Sequence, residues 1–176
     1  MRGVLRGFCI IALAVGATWI FQGIGALPGS FMTGRSEWAI AGVAGWFNGI
    51  GLRPGILWAV VATLAEAGGG TLMVLGLGGP LGPGVVAGDL VVVAIVAHWS
   101  QGFWAGGGKV GWEFPVPLAA AAFAVALIGN GAWSLDRLLG LAYPDWLLGA
   151  WLVIVLVGAV LALGARAMFA PKQAAS

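Results

Sequence analysis

Six acidic side chains, eight basic ones and a single histidine carry all the ionic chemistry of this 176-residue chain. Among those inside long apolar runs are Glu66 in "LAEAGGGTLMV", Asp89 in "VAGDLVVV" and His98 in "VAHWSQGFW". A carboxylate placed in hydrocarbon must pair or stay protonated, because burying it bare is prohibitive. Counting at about 1.5 Å per residue puts Glu66 roughly 18 Å from one membrane face and Asp89 roughly 9 Å from the other, so their depths are comparable. Arg6 enters from the same side as Asp89. An intramembrane polar cluster of Glu66, Asp89 and Arg6 is therefore expected. It serves either as a staple between helices or as a proton-carrying or ligand-binding group.

His98 follows Asp89 on the same run, about half a turn out of phase at 100° per residue, so the two do not form one site. Gln101 lies one turn further along the His98 face. Gln22, at similar depth on the first run, and Glu113, just before the fourth, complete a polar pocket among tryptophans. His98, Glu113, Gln22 and Gln101 offer the donors and the proton path that a quinone headgroup needs. A hydrogen-bonded interfacial histidine is the plainer alternative. No catalytic residues are assigned. One histidine and no dense acid pair give no metal site, and no P-loop, dinucleotide fingerprint or nucleophile elbow occurs. A net charge of +2 without a Lys/Arg cluster gives no reason to expect a nucleic-acid partner. The lone cysteine, Cys9, excludes an intrachain disulfide and reads as an apolar packing residue.

The elements that must position these groups follow from composition. The chain is 61% hydrophobic and 8% charged, with a mean hydropathy of +1.03. Such a chain cannot coat a water-soluble globule with polar side chains, so it must face lipid. Five apolar runs are long enough to consider as spans: Arg6–Leu27, Pro54–Leu77, Pro83–Trp104, Pro115–Gly131 and Trp146–Phe169. The first resembles a signal peptide in its Arg2, Arg6 and Val15-Gly16-Ala17, but it stays apolar through Leu27 and reads as a retained helix.

The loop after it contains "SEWAIAGVAGWFNGIG", with Ser36 as a cap and Glu37 in the first turn. It predicts a short interfacial helix over about residues 36–49. In the Asn130–Asp145 loop, Ser134 or Asp136 caps a short helix, and Asp136–Arg137 reads as surface polarity. Arg2, Arg6 and Arg137 fall on the side of the N-terminus. Arg35, Arg53, Lys109, Arg166 and Lys172 fall on the other, so the count itself leans against a cytoplasmic N-terminus.

Thirty-two glycines recur at small-xxx-small spacing, in Gly3/Gly7, Gly45/Gly49, Gly51/Gly55, Ala65/Gly69 and Gly102/Gly106. In lipid, helices associate through close backbone approach, which small residues permit. Gly68, Gly69 and Gly70 cover about 200° of arc, which predicts the second helix as the central one.

With these residues in view, the chain resembles the DoxX family of small membrane proteins over Arg6 to Leu139. The carriers are "FQGIGALPG", "GLRPG", "LAEAGGGTLMVLGL", "VAHWSQGFW", "GWEFPVPLAAAA" and "GNGAWSLDRLL", in that order. The resemblance implies an all-α polytopic bundle: a four-helix membrane core over residues 1–141, then an added transmembrane helix and short tail over 142–176. It also implies a bacterial plasma membrane with the N-terminus cytoplasmic. Some relatives are subunits of thiosulfate:quinone oxidoreductase, and others are linked to oxidative-stress handling. By motif, Glu66 matches the acid before the glycines, His98 the third-helix histidine and Glu113 the acid before the fourth helix. Gln22 and Ala26 depart from the histidine and lysine of a "HGxxK"-like pattern.

Three functions are expected in turn. The first is an accessory, anchoring or assembly subunit of a membrane complex, with other membrane subunits or further copies of itself as partners besides the bilayer. The second is a quinone-linked oxidoreductase subunit with quinone as its cofactor, working through His98 and Glu113. The third is a small transporter using Glu66 and Asp89; no internal repeat supports it.

Overall fold

The computed structural model describes residues 40–109 and 111–169. The first apolar run, with Arg6, Cys9 and Gln22, and the capping residues Ser36 and Glu37 lie outside them. The described residues are helical, with one isolated antiparallel bridge between Gly106 and Lys109. The helices are α1 (Ile40–Gly49), α2 (Gly55–Leu75), α3 (Leu81–Val93), α4 (Pro115–Ile128), α5 (Leu135–Leu138) and α6 (Trp146–Phe169). α3 runs on through a π-helical turn, Ala94–His98, and a 3-10 turn, Trp99–Gln101. Among the described residues three helices are long and apolar enough to cross a membrane: Gly55–Leu75, Leu81–Gln101 and Trp146–Phe169. α4 is apolar but has 14 residues, about 21 Å of helix against about 30 Å of hydrocarbon.

Local chemistry sets the boundaries. Asn48 near the end of α1 turns its Oδ1 onto the Gly55 N–H at 2.8 Å, satisfying a donor that the first turn of α2 leaves open. α2 ends at Gly76, whose φ of +61° admits the left-handed cap. There Leu77 N–H reaches Leu72 O at 2.9 Å and Gly76 N–H reaches Met73 O at 3.2 Å, closing two of the terminal carbonyls.

Among the described residues α3 is the central helix, with α2, α4 and α6 all packed on it. This corrects the expectation from the Gly68–Gly70 arc. Of those three glycines, Gly69 and Gly70 are buried, while a Cβ on Gly68 would meet nothing. The close approach is made by Gly69 and Gly82. A Cβ on Gly69 would lie 2.5 Å from Val85 Cγ1, and one on Gly82 would lie 2.9 Å from the Gly69 carbonyl oxygen. On another face of α3, Gly84 and Gly88 receive Trp151 and Val155 of α6. By contrast Gly45, Gly49, Gly102 and Gly106 face open space among the described residues.

The larger core cluster runs through α2, α3 and α4 as Met73, Val86, Ala87, Leu90, Ala119, Ala122 and Val125. The alanines let α4 lie close on α3. A second cluster joins Leu52, Val96 and Ala162 under Phe47, Trp58 and Leu163, where the far ends of α3 and α6 meet the α1–α2 turn.

Candidate functional site

The Gly69–Gly82 contact sets the register of α2 against α3. Gly69 faces Val85 and Val86, and Met73 faces Gly82. One turn further along this antiparallel pair, Glu66 falls opposite Asp89. The two carboxyls lie within electrostatic reach of each other. Both residues are half-buried, yet Asp89 Oδ2 itself is buried and has no hydrogen-bond partner among the described residues. Arg6, the third member of the expected cluster, lies outside the described residues.

His98 ends the π-helical turn and is half-buried. Gln101, three residues on, turns its amide back to the Ala97 carbonyl at 2.8 Å. Glu113 is engaged elsewhere: its Oε1 accepts the Ala105 N–H at 2.9 Å. That bond closes a loop in which Gly107 and Gly108, both at positive φ, turn the chain between Gly106 and Lys109. Gln22 lies outside the described residues. The residue after His98 belongs to an aromatic cluster. Trp99 stacks on Trp112 with centroids 5.5 Å apart, and the Phe103 ring meets Trp112 edge-on at 4.5 Å.

The most highly connected acid among the described residues is one whose place beside Arg137 in a loop predicts surface polarity. Asp136 is 8% exposed. Its Oδ1 accepts from Gly78 N–H at 2.9 Å and Tyr143 O–H at 2.7 Å; its Oδ2 accepts from Gly79 N–H at 2.8 Å and Asn130 Nδ2 at 2.9 Å. Burial opposes ionisation of Asp136, but the bonds from Tyr143, Gly79, Gly78 and Asn130 together hold its pKa below the ordinary aspartate value. The same bond to Asp136, followed by burial and the carboxylate's charge, raises the Tyr143 phenol. The site needs glycine. Gly79 sits at φ +57° with the Tyr143 ring 2.8 Å from where a Cβ would stand, and a Cβ on Gly76 would lie 2.5 Å from that of Ser134. Ser134 caps α5, accepting the Arg137 N–H at 3.3 Å. Asp136 thus ties the α2–α3 turn to the α4–α6 connection. Its signal in the sequence is the pairing of a two-glycine turn with a loop aspartate and the chain's one tyrosine, and only the tertiary fold joins them.

No match was found among curated proteins or among solved structures. The model of one family, DoxX, matches residues 7–99, just over half of the chain. The matched stretch contains Glu66, Asp89 and His98 and stops before Glu113, Asp136 and α6. With three helices among the described residues long and apolar enough to span a membrane, this chain is an integral membrane protein and belongs to the DoxX family.

Proposed function

We propose that this protein is an accessory, anchoring or assembly subunit of a membrane complex. The observation that carries this reading is the use made of its polar side chains: Glu113, Gln101 and Asp136 are engaged with the chain's own backbone. They hold the bundle together, and small-residue contacts do the rest. In this reading residues 1–141 are a four-helix core with an interfacial helix before the second span, and 142–176 are an added helix and tail. α6 attaches along one stripe, with Ala162 as its buried residue, and turns Val153, Ile154, Leu156 and Val160 outward to lipid or to a neighbouring subunit. The membrane is a bacterial plasma membrane with the N-terminus cytoplasmic. Purification in mild detergent tests the reading: a stoichiometric membrane partner is expected, and a chain that always isolates alone as a monomer argues against it.

A second reading, a quinone-linked oxidoreductase subunit, is favoured by one feature. His98 stands at a π-helical turn beside the stacked Trp99–Trp112 pair, and such turns recur at functional sites. Replacing His98 with alanine distinguishes the two. Loss of quinone-dependent activity in membranes, with assembly intact, supports the second reading, and unchanged activity removes it.

A further inference from the structure

We propose that Glu66 and Asp89 form one intramembrane site that holds a small hard cation, a proton or an alkali-metal ion, between two carboxyl groups on adjacent helices. The glycine contact carries the geometry. Because Gly69 and Gly82 have no side chains, the α2 and α3 backbones touch, with the Cβ position of Gly82 only 2.9 Å from Gly69 O. The register then sets Glu66 opposite Asp89, and the two carboxyls lie within electrostatic reach. Each is far from a helix end: Glu66 is about 17 Å along α2 from Gly55, and Asp89 about 12 Å along α3 from Leu81.

The second observation is independent of the pairing. Asp89 Oδ2 is buried and accepts no hydrogen bond among the described residues. A buried oxygen of this kind is costly unless something donates to it or coordinates it. Among the described residues nothing else answers that need. α4 carries no ionisable side chain. The arginine of α6, Arg166, donates instead to the Ile95 carbonyl at 3.3 Å, two turns further along α3. Carboxylate oxygens are hard donors, suited to a proton or to a hard metal ion rather than to soft metals. The site goes beyond the accessory-subunit reading and does not depend on it, since a cation at this depth stabilises the α2–α3 contact in any complex.

The test uses the full chain in lipid nanodiscs and dicyclohexylcarbodiimide, an apolar reagent that adds to protonated carboxyls in lipid surroundings. Labelled positions are read by peptide mass, with exposed Asp145 as the reference for reagent chemistry. The expected label falls on Glu66 or Asp89. If the occupant is an alkali-metal ion, lithium or sodium chloride slows that labelling relative to choline chloride at equal ionic strength. At ten times its dissociation constant the ion leaves roughly one site in ten free, so the rate falls about tenfold. If the occupant is a proton, the alkali salts have no effect and labelling of the pair persists as the pH is raised beyond the point that stops labelling of Asp145, slowing only at higher pH. Label on neither residue, as an acid pair neutralised by a resident arginine would give, overturns the proposal. So does labelling indifferent to both salt and pH. In D89N the salt dependence of Glu66 labelling is expected to disappear, or, for a proton, its pH profile to shift, and an unchanged salt response and pH profile would show that the two carboxyls are not one site. The wild-type rates decide the matter even where D89N fails to fold.

Discussion

Asp136 shows how much one side chain can hold. Four donors converge on two oxygens, two of them backbone N–H groups of a glycine turn. Hydrogen bonds to a charged acceptor contribute about 1.5–3 kcal/mol each where a neutral one contributes about 1. D136N keeps the shape but brings an NH2 group against donors, so a loss of about 2–4 kcal/mol in unfolding free energy is expected, measured by thermal unfolding in detergent. The loss depends on pH. With the folded pKa below the unfolded one, the stabilisation is fully present above the unfolded aspartate value, about 3.9, and fades as the pH falls below it. The wild type and D136N should therefore differ most near neutrality and converge in acid. A gap that stays constant down to pH 2 would show that the charge of Asp136 is not what holds the loop. Y143F removes one of the four donors and should cost about 1–2 kcal/mol, with the same pH trend.

At the scale of elements, the glycines separate into those that carry contacts and those that do not. G69A places a methyl 2.5 Å from Val85 Cγ1 and 2.9 Å from Val86 Cγ2, so it should force α2 and α3 apart at about 1–3 kcal/mol. G68A, one residue away, meets nothing among the described residues and adds a better helix former, so it should leave stability unchanged or raise it by about 0.5–1 kcal/mol. Equal effects of the two, read from unfolding midpoints, would show that the α2–α3 contact is not made here.

This separation also marks what could be read in advance. Residue counting alone puts Glu66 and Asp89 at similar depth, because rise per residue is fixed and depth needs no knowledge of neighbours. Which faces meet is decided by Gly69, Gly82, Gly84 and Gly88 together, and spacing within one helix does not name its partner. Gly102 and Gly106 have the right spacing but lie in a loop. The π-helical turn at Ala94–His98 has no residue signature, since its bonds run to the fifth residue without needing a special side chain. Asp136 looked like a solvent-facing loop acid because its four donors lie up to 58 residues away.

On the scale of the molecule, the DoxX match ends at residue 99, while the helix it ends in, α3, is covered on one face by α6 from beyond the match. α6 is held to that face by Trp151 Nε1 on Leu81 O at 2.9 Å at one end and by Arg166 on Ile95 O at the other. A chain truncated after Pro144 keeps Tyr143 on Asp136 and loses only the long helix. It should still insert in the membrane, with a lower unfolding midpoint, about 2–4 °C for each kcal/mol of lost packing. R166A should reproduce part of that shift without truncation. An unchanged midpoint in both would mean that α6 stands apart from the bundle.

The place of α6 bears on how the molecule is made. A ribosome delivers α3 to the bilayer well before α6 exists, so the flank formed by Gly84 and Gly88 first meets acyl chains. Until translation reaches Trp151 and Val155, the nascent protein carries an open notch on its middle helix. Whatever attends its insertion, lipid or insertase, must vacate that notch before the last helix can seat.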